Sequence, residues 1–209
     1  MPLIKTHLNN KEISTTAKDI IIASWRASTA KQYQIHLSRW EMSCKSRNIK
    51  EFNASIENGI DFLASLYEKD LGYSAINTAR SALSSVLDLP GGNTFGTHPV
   101  VTRFLKGVFE LKPSLPRYTT IWDVGTVLRY LQTLHPIPEL NVKTLTKKLT
   151  MLPRLLTGQR CQTLTKLDIS FVQALPDKYV FIIGEKLKTT KPGKLLRPVE
   201  LVAYKQDES

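Results

Sequence analysis

The sequence predicts a mainly α-helical protein with a small β-sheet: a four-helix unit, a linker, and a smaller α+β unit. Three observations predict this. Apolar residues recur at helical spacing in four segments between residues 27 and 112. The stretch "KPSLPRYTT" (112–120) has two prolines and no apolar periodicity, so it reads as a linker. Three short β-like runs follow two more helical segments in residues 121–209. With 209 residues and a hydrophobic share of 42%, the chain can build a real core in one large domain or two small ones.

Taken in order, residues 1–26 are polar apart from Ile20–Ile22 and are expected to be a loosely held, flexible arm. Ser28 suits an N-cap, and Tyr33, Leu37, Trp40 and Cys44 then recur at steps of four, three and four. A second helix is expected over about 55–70, with Ile56, Ile60, Leu63 and Tyr67 on one face. A third covers about 74–88, capped by Ser74, with Ile76, Ala79, Leu83 and Val86 inward. "LPGGNTFGTHP" breaks the chain. Pro99 suits the first turn of a fourth helix reaching Leu111, with Val101, Phe104 or Leu105, Val108 and Leu111 as its stripe. Beyond the linker, Asp123 caps a helix carrying Val124, Val127, Leu128, Leu131 and Leu134, and another helix spans about 142–156. The β-like runs are Phe171–Leu175, Tyr179–Ile183 and Leu196–Val202; Pro198 makes the last an edge strand.

Lys and Arg total 29 against 18 Asp and Glu, a net charge of +11. Such an excess points to a polyanion, either nucleic acid or an acidic membrane surface. The membrane is disfavoured, because no long apolar run and no amphipathic Lys-rich terminus occurs. "MPLIKTHLNN" lacks a signal-peptide core, and Cys44 and Cys161 read as reduced thiols, so an intracellular, non-secreted protein is expected. With no CxxC, HExxH or Gly-rich phosphate loop, neither a metal nor a nucleotide or other small-molecule cofactor is expected.

Two helix faces suit DNA. Asn77, Arg80, Ser81 and Ser84 fall together away from the third apolar stripe, and amide and guanidinium groups are those that read base edges in a major groove. Lys31, Gln34, Ser38 and Lys45 line up opposite Tyr33 and Trp40, a row suited to phosphate oxygens. The plainer alternative is a solvated face in each case, in a helical protein–protein adaptor that is basic by accident.

One more cation stands out: Arg160 in "LLTGQRCQTLTKLDIS" (155–170), amid what reads as core. This box, with "STAKQYQIHLSRWEMSCKSRN" and "YSAINTARSALSSVL" upstream, resembles the tyrosine recombinases, or phage integrases. The run "HPVVTRFLKGVFELKPSLPRY" and the flavour "TGQRCQTL" are most similar to the recombinases of DIRS-type retroelements. The resemblance implies that residues 27–112 are the helical core-binding domain that clamps one side of double-stranded DNA. It implies that 121–209 are the first half of a catalytic domain that cuts and joins DNA through a 3′-phosphotyrosine, without metal. Arg160 would hold the scissile phosphate through two parallel hydrogen bonds. A lysine between the second and third strands would protonate the leaving 5′ oxygen, best placed at Lys188, with Lys186 and Lys191 as rivals.

The chain departs from that pattern. His7, His36, His98 and His135 all precede Arg160, so no H-x-x-R box follows it, and Tyr204 lies too early to be the nucleophile. The expectation is therefore a truncated or decayed copy that binds DNA in the nucleus or another intracellular compartment without cleaving it. Recombinase-type self-association is also implied, and the rival reading is a repurposed DNA-binding regulator. Pro153 is expected to kink the helix that supports Arg160, and Thr163 stands where many relatives carry a carboxylate. Missing later helices would leave apolar surface wet in residues 121–209.

Overall fold

The first helix, α1, spans Pro2–Asn9, in a computed structural model that describes residues 1–203 except Asn93, Leu115, Arg117 and Leu195. Leu3, Ile4 and Leu8 are buried in the main hydrophobic core, and Lys11 grips both carboxylate oxygens of Asp88 at 2.7 Å. A second helix, α2 (Thr15–Ala23), is capped by Ser14, whose hydroxyl accepts from the Ala17 amide. Ile22 and Trp25 pack against the core while Ile20 and Ile21 stay exposed. Residues 1–26 are therefore not the flexible arm expected. The spacing of Leu3, Ile4 and Leu8 is helical, but the run is too short to stand out from its polar surroundings.

α3 (Ala27–Ser46) begins two residues earlier than expected, with Arg26 at the N-cap position and Ser28 inside the first turn. Leu37, Trp40 and Cys44 are fully buried. The Trp40 indole N–H donates to the Glu51 carbonyl at 3.1 Å, and its ring meets Phe62 edge-on. α4 (Ile56–Glu68) opens with a reciprocal capping box between Ser55 and Asn58. α5 (Tyr73–Leu83) starts after Gly72, not at a Ser74 cap, and stops five residues before the expected end. Ile76, Ala79, Leu83 and Val86 all point inward even so, since Val86 is buried by the turn that follows. Phe95, in that connection, is fully buried against α4. A Cβ on Gly59 would sit 2.4 Å from its ring, so only glycine leaves the ring room. α6 (Pro99–Leu111) buries Val101, Leu105 and Val108, whereas Leu111 is exposed, off the stripe assigned to it. α5 is the central helix, in contact with α3, α4 and α6.

The chain folds as two compact units, Met1–Thr119 and Thr120–Ser209. In the second, α7 (Val124–Thr133) is capped by Asp123, which accepts from the Gly125 and Thr126 amides. Only Leu131 of its apolar stripe is buried; Val124 and Leu128 are exposed. α8 (Val142–Thr157) carries Pro153 within a single continuous helix, and Thr157 donates its hydroxyl to the Pro153 carbonyl. The short α9 (Cys161–Leu164) precedes an antiparallel sheet of β1 (Val172–Ala174), β2 (Lys178–Phe181) and β3 (Val199–Val202), in the order β1-β2-β3. β2 is central, with Phe181 opposite both Val172 and Val199, and β3 is an edge that packs on α8. The architecture is thus mainly α with a small three-stranded sheet. Tyr204 lies outside the described residues.

Two outcomes follow from this packing. Ile4→Ala removes a fully buried side chain and should cost about 2–5 kcal/mol in a urea unfolding titration; a flexible arm would give no change. Burial, above all, lowers the pKa of His36 below its ordinary value, with Arg39 adding to the effect; burial likewise lowers that of His7, partly offset by Asp88. The unfolded chain then binds more protons below about pH 6.5, so stability should be fully present above that pH and fall as the pH drops toward the lowered folded values. Urea midpoints at pH 7.5 and 5.5 check this, and His36→Leu should flatten the difference.

Candidate functional site

The row expected on α3 shares one face, but its members differ in availability. Lys31 is exposed. Gln34 donates to the Ser38 hydroxyl at 2.8 Å, while its own Oε1 is buried without a partner among the described residues. Lys45 pairs with Glu41 at 2.9 Å, and that hydrogen bond raises its pKa.

The α5 row is more deeply committed to the fold. Ser81 and Ser84 donate back to the carbonyls of Asn77 and Arg80, at 3.0 and 2.8 Å. Arg80 Nη1 donates to the Gly96 carbonyl at 2.7 Å. A Cβ on Gly96 would lie 2.4 Å from Ser84 Oγ, so the Phe95–Thr97 turn is pressed tightly onto α5. Asn77, Arg80, Ser81 and Ser84 are all half-buried, and do not form the open ridge expected to enter a major groove. The reason is tertiary: periodicity places them off the core stripe, but the Phe95–Thr97 turn closes over Arg80 and Ser84.

Arg160 is exposed, not embedded in core. Of the apolar residues that follow it, Ile169 is 89% exposed, whereas Leu164 and Leu167 are half-buried. Its position is set by backbone devices. Gly158 ends α8 in the left-handed conformation (φ 61°), with its N–H on the Arg154 carbonyl. Arg160 then occupies the N-cap position of α9, and its carbonyl accepts from the Thr163 amide at 2.8 Å. Thr163 is buried beneath it. Among the described residues the Arg160 guanidinium has no hydrogen bond or ion pair within the chain.

That guanidinium lines a cleft of about 580 Å³ together with Lys194, Arg197, Thr163, Thr189 and the buried Leu187. No Asp or Glu is among the described residues lining it. Lys186, Lys188 and Lys191 do not line the cleft, although all three lie on the β2–β3 connection. The Lys188 amide donates to Gln162 Oε1 at 3.1 Å, which ties the connection to α9. Lys191 bridges to Lys194 across a turn in which Gly193 has φ 72°. Sequence reading missed Lys194 and Arg197; the only trace of them is the turn signal in "KPGKLLRP", which reverses the chain toward Arg160. The chain matches no family model, and no curated protein matches it significantly. Among the described residues no group of three or more His, Cys, Asp or Glu side chains is placed to hold a metal ion, and no helix is long and apolar enough to cross a membrane.

Chemically, three cations around a concave surface without a carboxylate suit a phosphate or another oxyanion. Arginine offers a planar fork that matches two phosphate oxygens, and lysine adds a point charge. Because Arg160 is exposed and unpaired, Arg160→Ala should shift the unfolding free energy by less than about 0.5 kcal/mol. Thr163→Ala, at a buried position, should lower it measurably in the same titration.

Proposed function

We propose that this chain is a DNA-binding protein derived from a tyrosine recombinase, and that Arg160, Lys194 and Arg197 hold a backbone phosphate of double-stranded DNA. One observation carries the reading: the Arg160 guanidinium, without a partner among the described residues, lies in a cleft with two further cations and no acid in its described lining. The T-G-x-R order around it, which the sequence shares with the recombinase arginine box, and the net charge of +11 support it. Binding of this kind is driven by counterion release and by direct neutralisation of phosphate charge. Lys31, exposed on α3, adds a positioning contact on the helical unit. The protein would act in the nucleus or another compartment that holds DNA.

The same cleft would stabilise charge building on a phosphorane, because preorganised donors act most strongly on charge that develops during reaction. These 209 residues nevertheless contain no histidine beyond Arg160 to handle protons. The reading is therefore of phosphate binding without strand cleavage by this polypeptide.

Fluorescence anisotropy with a labelled 30-base-pair duplex tests this. The full chain should bind with an affinity that falls steeply between 50 and 200 mM salt, and Arg160→Ala or Arg197→Ala should each reduce the salt slope by about 1. Duplex affinity that ignores salt would sink the proposal and favour a protein–protein adaptor. A nicked suicide substrate should yield no covalent adduct; a phosphotyrosyl product would overturn the inactive reading.

A further inference from the structure

We infer that the cleft between α5 and α6 takes one unpaired nucleotide of a DNA strand. This rests on the reading that DNA is the partner, but it concerns a different surface from the Arg160 cleft. The cavity measures about 610 Å³ and is walled by Tyr73, Asn77 and Arg80 from α5 and by Thr102, Lys106 and Phe109 from α6. That size falls in the range of pockets for small organic ligands. Its concavity decides the class of occupant. A convex helix face enters a groove, whereas a hollow receives a group that projects. A paired base projects nothing beyond its groove edge, and an unstacked base projects its whole ring.

The lining supplies what such a nucleotide needs. Phe109 is 45% exposed, and its ring is held edge-on to Tyr73 with centroids 5.4 Å apart. An exposed aromatic packed edge-on against a second ring offers a stacking platform that accepts any base. Asn77 offers an amide with both donors and an acceptor for a base edge. Arg80 forms part of the wall, fixed there by the Nη1 hydrogen bond to the Gly96 carbonyl. Lys106 is exposed on the rim and suits the nucleotide's phosphate. Glu110, one turn further along α6, also lines the cleft. Its carboxylate accepts from exocyclic amino groups and repels phosphate, so it orients the base toward itself and the phosphate toward Lys106.

The test uses the full chain and three labelled probes: a matched duplex, the same duplex with one extra unpaired base, and a 12-nucleotide single strand. The wild type should prefer the bulged duplex over the matched one. Phe109→Leu keeps apolar bulk without a π-face and should lose that preference about tenfold, while Phe109→Tyr retains it. Lys106→Gln should weaken the bulged duplex and the single strand more than the matched duplex; both positions are exposed, so neither change opens the core. Equal affinity for bulged and matched duplexes, or an equal loss on both in Phe109→Leu, would overturn the inference and leave the phosphate reading intact. Phe109-dependent binding of the single strand with no binding of the matched duplex would do the reverse. Failure to bind any probe would remove both.

Discussion

Burial of the Trp40 side chain is the constraint around which the helical unit is organised. The indole is fully enclosed, and burying a ring of this size contributes several kcal/mol only if its N–H finds an acceptor. The Glu51 carbonyl provides it, which draws the segment after α3 back over the helix. Phe62 closes the other side and so positions α4. α5 can then lie at the centre because Ala79 and Ala82, both fully buried, let its neighbours approach closely. The amino-terminal helix covers the remaining edge, held by apolar contact and by the Lys11–Asp88 pair.

The second unit follows a different economy. Its buried apolar side chains among the described residues are few: Leu131, Val180, Leu187 and Val199, with Pro153 beside them. Leu149, Leu156, Phe171 and Ile182 remain exposed. A cation placed on such a thin frame is not desolvated, so leaving Arg160 unpaired costs little. Precision comes instead from local backbone geometry: a left-handed glycine cap, a buried threonine and a Gln162–Lys188 link. The first two are short-range devices and the third ties α9 to the β2–β3 connection, so the arginine's start point is held independently of a large core.

The net charge of +11 is therefore not evenly available to a polyanion. Lys11, Arg47 and Lys112 are engaged with Asp88, Asp61 and Asp70, and Lys112 holds Asp70 below the usual carboxylate range. Exposed pairs of this kind contribute little stability but do neutralise one another locally. Three cations outside these pairs, Arg160, Lys194 and Arg197, share one cleft whose described lining holds no carboxylate. A cluster of one sign on a concave surface focuses potential and raises the local concentration of counter-charge more than the same charges spread evenly.

How much of this was legible in the sequence follows the range of the forces involved. Helical periodicity located α3 to α8, and local chemistry placed the Pro99 and Asp123 starts, because caps act within four residues, whereas the Ser28 and Ser74 caps expected on the same ground lie inside their helices. The inward sets of α3 and α5 were readable for the same reason, since a buried stripe imposes its own spacing. The amino-terminal helix was not, because a single two-turn segment acquires its stability only from the core it covers. Nor could composition decide whether a polar residue off the stripe meets water or protein. Arg80 meets the Gly96 carbonyl because a distant turn folds over it, and Lys194 reaches the Arg160 cleft because a glycine reverses a loop. Sequence by itself determined which residues are charged, apolar or able to cap. Tertiary structure alone decided which of those charges stay unpaired, because pairing depends on distances between segments that have no periodic relation in the chain.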